Sequence, residues 1–213
     1  MRILFEDEYI VVCIKPIGIL SQEDLKARQN MVSLLKEVCK SEIYPLHRLD
    51  REVGGIMVFA KTKFSASILS TDIANRNFKK EYLCLVHGKP ENEKGEMRDL
   101  LFKDSRKNKV FTVKRKRVGV KEALLEYETV AIFEKDGEVY SVNKILLDTG
   151  RTHQIRVQFA SRKMSLIGDR KYGAKDDIKE IGLWSYSLTF SHPKTKQLLN
   201  FKAEPENIIA QYL

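Results

Sequence analysis

Asp50 stands between two arginines in the run His47-Arg48-Leu49-Asp50-Arg51, with Gly54-Gly55 and the apolar stretch Ile56-Met57-Val58-Phe59-Ala60 close behind. The pattern sets one carboxylate among permanent cations at the mouth of a buried strand. A carboxylate flanked by fixed cations is favoured in its charged form. The chemistry on offer is therefore that of a nucleophile or a base facing a polyanion. A short charged segment before a strand is more often a solvated turn whose ion pairs contribute little. The rest of the chain has to separate the two readings.

The bulk composition points toward a phosphate-rich partner. Lys and Arg number 38 against 29 Asp and Glu, a formal charge of +9. Between residues 103 and 117 the chain carries Lys103, Arg106, Lys107, Lys109, Lys114, Arg115, Lys116 and Arg117, opposed only by Asp104. Such a run is either a solvated face or a nucleic-acid footprint, since neutralising phosphates releases condensed counterions. The three cysteines are widely spaced among apolar neighbours and read as reduced core residues. Neither they nor the four histidines show metal-ligand spacing, so no metal is expected. No apolar stretch approaches the ~20 residues of a membrane span. The N-terminus turns acidic at Glu6-Asp7 before a signal core could form, so a cytoplasmic protein is expected.

These groups need a scaffold, and its elements are largely readable. Ile3 to Ile14 reads as one or two strands ended by Lys15-Pro16, and residues 31–40 have helical spacing. Residues 56–60 read as a strand, Thr62 is an N-cap for the helix after it, and 81–87 resume strand character. The polar stretch from Glu91 to Asp99 reads as a loop, followed by a hairpin around Val110 to Val113. Strands at 123–133 and 139–147 are joined through Asp136-Gly137, a hairpin signal. Thr152 can cap a helix through Ala160, which would place His153 and Arg156 on one face. Trp184, Tyr186, Leu188 and Phe190 alternate with Ser185, Ser187 and Thr189 as a one-sided strand, with Leu199 and Phe201 able to pair on it. The expected fold is α+β, a single catalytic domain over 1–213 with a largely antiparallel mixed β-sheet flanked by helices and loops.

Four separated segments together resemble the RluA-type pseudouridine synthases, which include bacterial large-subunit ribosomal RNA and tRNA enzymes. They are the 47–51 loop, Lys80-Glu81-Tyr82 with the strand to Gly88, Thr149 to Arg156 with Gly168-Asp169-Arg170-Lys171-Tyr172-Gly173, and Leu188 to Pro193. The resemblance covers about Ile3 to Pro205 and implies the pseudouridine synthase fold. It also implies that Asp50 is the catalytic carboxylate, that Tyr82 contacts the target base and that Arg156 salt-bridges Asp50. By the same resemblance, Arg48 enters the stack where the base has left. His47, Arg51, Arg151, His153 and Arg170 are expected to contact RNA, together with Lys114, Arg115, Lys116 and Arg117. The sequence departs from the family at Glu52-Val53-Gly54-Gly55 and Trp184-Ser185, which bears on substrate preference but removes no reacting group.

The implied reaction breaks the bond from ribose to N1 of uracil and rejoins the sugar to C5, with no atoms gained or lost. No cofactor is expected. A carboxylate starts it by attacking the anomeric carbon or by removing the neighbouring proton, and Asp50 is the acting group in both. A buried carboxylate needs a guanidinium partner, and the uracil must leave its stack at a cost of about a few kcal/mol. The partner is RNA, ribosomal or transfer, and a monomer is the default. The chain starts almost at the first strand, so no separate N-terminal S4 RNA-binding domain is expected. A non-catalytic RNA-binding protein is the alternative. Likeness of the 47–50 run to a kinase catalytic loop is poor, because there the Asp follows the Arg directly.

Overall fold

The computed structural model describes residues 1–25 and 28–213. In chain order the elements are β1 (Arg2–Glu6), β2 (Ile10–Lys15), α1 (Met31–Cys39), β3 (Tyr44–Pro45), β4 (Gly54–Ala60), α2 (Lys63–Ala74), β5 (Lys79–His87), β6 (Lys94–Asp104), β7 (Lys109–Val113), β8 (Val120–Lys135), β9 (Glu138–Leu147), α3 (Gln154–Ser161), β10 (Leu183–Ser191) and β11 (Leu198–Lys202). Short 3-10 turns lie at Arg170–Tyr172 and Ile208–Gln211. This is an α+β protein with largely antiparallel pairing, as expected from the sequence. The chain divides into two compact units, Met1–Lys80 with Ser185–Glu204 and Glu81–Trp184 with Pro205–Leu213. The divisions fall inside β5 and inside β10.

In the first unit the strand order is β1-β2-β4-β10, with β3 on β4 and β11 on β10. β2 and β4 are buried along their whole length, which is why they read as continuous apolar runs rather than as alternation. Thr62 caps α2 by accepting the Ser65 N–H at 3.1 Å. Phe78 stacks on Phe190 with ring centroids 5.0 Å apart. Gly55 is required twice over. Its φ is +119°, and a Cβ there would collide with the Ser185 carbonyl oxygen.

That close approach explains a departure from expectation in β10. Ser185 and Ser187 were expected on an open face, yet they are 0% and 1% exposed, alongside buried Trp184, Leu188 and Phe190. The Ser185 hydroxyl donates to the Ile56 carbonyl at 2.9 Å. Small polar residues here allow neighbouring chain to pack close rather than marking solvent.

In the second unit the strand order is β5-β9-β8-β6-β7. Asp136 and Gly137 join β8 to β9 with φ of 54° and 77°, the positive values of the two-residue hairpin turn. Of the expected loop at 91–99, residues 94–99 are instead the start of β6, paired on β8 from Lys94 opposite Glu128 to Phe102 opposite Val120. Its polar residues line an exposed face, and only Met97 and Leu101 reach the core. α3 also begins later than expected. Its N-cap is His153 at φ 50°, and no side chain caps it. The Gln154 side chain instead ties down the chain that precedes the helix, its Oε1 accepting the Arg151 N–H at 3.0 Å and its Nε2 donating to the Leu124 carbonyl at 3.0 Å.

Candidate active site

In the first unit, the Asp50 loop is held by backbone rather than by side-chain packing alone. Leu49 is buried, and its N–H and C=O both bond the Ser21 hydroxyl at 2.9 Å. Gly18 N–H donates to the Arg51 carbonyl at 2.8 Å, and Arg51 Nε donates back to the Gly18 carbonyl at 2.9 Å. Val53 N–H closes a turn on the Asp50 carbonyl at 3.0 Å. The outcome is Arg48 exposed, Leu49 buried and Asp50 half-buried between them.

Beneath this loop lies Lys15, fully buried at the end of β2. Its ammonium donates to the carbonyls of Pro16 at 2.9 Å, Ile19 at 2.7 Å and Arg51 at 3.3 Å. Burial lowers its pKa to about 8, while the charges of Glu52 and Asp50 act in the opposite sense. One cation thus ties together the two loops around Asp50.

His47 is the apolar corner of the same region. Its ring lies 6.0 Å from Phe78, and its Nε2 accepts the Val58 N–H at 3.4 Å. Burial pushes its pKa down to about 3, with the Lys80 cation adding to the effect. His47 is therefore a neutral ring at ordinary pH, suited to orienting the loop and not to carrying a positive charge.

In the second unit, Arg156 projects from α3 with only 3% exposure and meets Asp169, 1% exposed. Nε donates to Oδ2 at 2.6 Å and Nη2 to Oδ1 at 2.8 Å, the two-pronged geometry that fixes a guanidinium in orientation. The ring of Tyr172 lies against the guanidinium, its centroid 5.3 Å from Cζ. Gly168, next to Asp169, lets the backbone at 178–180 pack close, because a Cβ there would collide with the Glu180 carbonyl oxygen. Tyr82 is buried on β5, opposite Ile145 of β9.

A family model described as RNA pseudouridylate synthase matches residues 9–161, which include Asp50, Tyr82 and Arg156. The chain belongs to this family. The synthase, an isomerase, is 32% identical over 92% of its length to the ribosomal large subunit pseudouridine synthase C of Buchnera aphidicola, of which it covers 64%. It is 26% identical over 95% of its length to the tRNA pseudouridine synthase C of Pasteurella multocida, covering 90% of that protein. The solved structure of human RNA Pseudouridylate Synthase Domain Containing 1 shares the fold, with a TM-score of 0.80 at 18% identity over 98% of this chain and 85% of that one.

The remaining sequence candidates of the synthase lie mostly on its surface. Lys114, Arg115, Lys116 and Arg117 are all exposed in the connection from β7 to β8. Lys116 pairs with Glu122 at 2.5 Å, and Arg117 lies over the Phe102 ring at 4.7 Å. Arg151 is exposed and donates through Nε to the Glu122 carbonyl at 2.9 Å. Arg170 is 65% exposed and sits 3.7 Å from Asp177. His153 bonds the Tyr172 hydroxyl through Nδ1 at 2.8 Å. No helix of the described residues is long and apolar enough to cross a membrane.

Three residues escaped the sequence reading. Lys15 is one, and a lysine closing an apolar run before Pro16 was its available signal. Asp169 and Tyr172 are the others. They lie inside a motif that was noted for its glycines and cations, and the only hint of Asp169 was an acid directly after an obligatory Gly168.

Proposed function

We infer that the synthase isomerises a particular uridine of ribosomal or transfer RNA, with Asp50 as the acting carboxylate, Arg156 as its partner and Tyr82 against the extruded base. The observation that carries this reading is the Arg156–Asp169 pair, an arginine held at two hydrogen bonds and one ring face inside the protein. A guanidinium has two edges, and Asp169 fixes one in place. The same rigid fork can hold a second carboxylate in a fixed orientation without reorganising.

The chemistry then follows. Asp50 starts cleavage of the N1–C1′ bond, by attack at C1′ or by removal of the neighbouring proton. The freed uracil turns, C5 bonds to C1′, the C5 hydrogen leaves as a proton and N1 gains one. Arg48, exposed beside Asp50, suits the place vacated in the stack, and Tyr82 offers its face to the base. The exposed cations at 114–117, with Arg51, Arg151, His153 and Arg170, supply phosphate contacts. The compartment that fits such a substrate is the cytoplasm.

Transcripts of large ribosomal RNA and of a tRNA pool, each labelled with tritium at uracil C5, test the reading. Release of tritium from one class, saturating at one equivalent per molecule, is the expected outcome. RNA binding without release from either class would favour a binding protein instead.

A further inference from the structure

Tyr172 touches more of the chemistry-bearing groups of the second unit than its place in a surface turn would suggest. It is 9% exposed and packs with Leu101, Val110, Ala123 and Val157. Its ring carries Arg156 on one count, centroid to Cζ 5.3 Å, and Lys109 on another, centroid to Nζ 5.3 Å. Its hydroxyl accepts the Val110 N–H at 3.0 Å and bonds His153 Nδ1 at 2.8 Å.

Val110 lies on β7, the outermost strand of its unit, so an N–H facing away from β6 would have no ladder partner. Tyr172 supplies that partner from the turn that also carries Asp169. Lys171 adds a second tie, donating to the Asn108 carbonyl at 3.2 Å. The basic hairpin and the buried guanidinium therefore share one hydrogen-bonded side chain.

We propose that Tyr172 is a positioning residue that couples RNA seating on the basic hairpin to the alignment of Arg156. The proposal rests on the functional reading above. Phosphates drawn to Lys109 and the 114–117 cations press on β7, and a shift of β7 reaches the ring under Arg156 through the Val110–Tyr172 bond.

The test is a double-mutant cycle on the full-length protein, read as RNA Kd and as single-turnover tritium release at saturating RNA. Tyr172→Phe keeps the ring and loses the hydroxyl. It should slow release about tenfold with Kd within about twofold, since small misplacements of a catalytic group cost factors up to about a hundred. Changing Lys114, Arg115, Lys116 and Arg117 together to Gln should weaken binding and slow saturated release in the wild-type background, but slow it no further in Tyr172→Phe. A hydroxyl that only holds the fold would lower the melting midpoint and leave the saturated rate, well below that midpoint, unchanged. An unchanged rate, or two effects that simply multiply, overturns the inference. An inactive wild type would overturn the functional reading with it, whereas an active wild type with multiplying effects would overturn this inference alone.

Discussion

Two ion pairs of nearly equal length stand at opposite extremes in this protein. Arg156 meets Asp169 at 2.6 Å with side chains 3% and 1% exposed, and Lys116 meets Glu122 at 2.5 Å with side chains 73% and 55% exposed. Distance does not distinguish them, but water does. The exposed pair is screened, exchanges freely with solvent and can release Lys116 to a phosphate at little cost. The buried pair has lost its water, so each partner depends on the other and the guanidinium cannot wander. The first suits a surface that recognises charge by its field, the second a site that requires fixed geometry.

The contrast can be broken most forcefully from the buried side. Asp169→Asn leaves Arg156 charged in the interior against a neutral amide, and urea unfolding should show a loss of about 3–5 kcal/mol. A loss under about 1 kcal/mol would mean the pair is not the fixed element described here. Because the group is shielded, the loss should be the same at low and high salt.

His47 gives the next effect, read through pH. Its folded pKa of about 3 lies below the ordinary 6.5, so the unfolded chain takes up the proton first as the solution is acidified. The stability linked to a neutral His47 is thus complete above pH ~6.5 and is lost as pH falls toward ~3, by up to about 1.4 kcal/mol per pH unit. In His47→Gln the unfolding free energy should fall less steeply over that window. Identical slopes for both proteins would remove His47 from the buried set.

The exposed side gives effects in binding rather than in folding. Replacing Lys114, Arg115, Lys116 and Arg117 by Gln should reduce RNA affinity and flatten the plot of log K against log salt, by about 0.7 for each phosphate of single-stranded RNA that is no longer neutralised. A parallel line at lower affinity would assign the weaker binding to something other than phosphate neutralisation. The smallest change is expected of Glu122→Gln. It should leave the melting midpoint in place and, by freeing Lys116, strengthen RNA binding slightly at low salt; a lowered midpoint would show that the exposed pair holds the fold.

What was legible in the sequence followed the same divide. The Thr62 cap and the Asp136-Gly137 turn are local devices, each set by neighbouring residues, and each was readable from a short window. β6 was misread as a loop because half of its residues face water and its few apolar ones are spaced too thinly to signal a strand. α3 starts late because His153 takes a left-handed backbone at φ 50°, and the Gln154 amide reaches back to Arg151 and across to Leu124, an arrangement no helical pattern encodes. Asp169 was missed for a similar reason. The family resemblance supplied Arg156, but its bidentate acid lies 13 residues on, beyond a turn whose path depends on Gly168. Lys15 reads as a strand-ending charge and becomes a buried clamp only once the carbonyls of Pro16, Ile19 and Arg51 converge on it.

On the proposed reading Asp50 carries the chemistry and the exposed cations carry the RNA. The direct measurement is Asp50→Asn, an isosteric change, assayed for both RNA Kd and tritium release from C5-labelled uridine in the same preparation. A Kd within about twofold of wild type is expected, with release reduced by at least about a thousandfold, the scale on which loss of an acting catalytic group is felt. Release at a rate near wild type would contradict that reading, because the carboxylate would then be a bystander in its own loop.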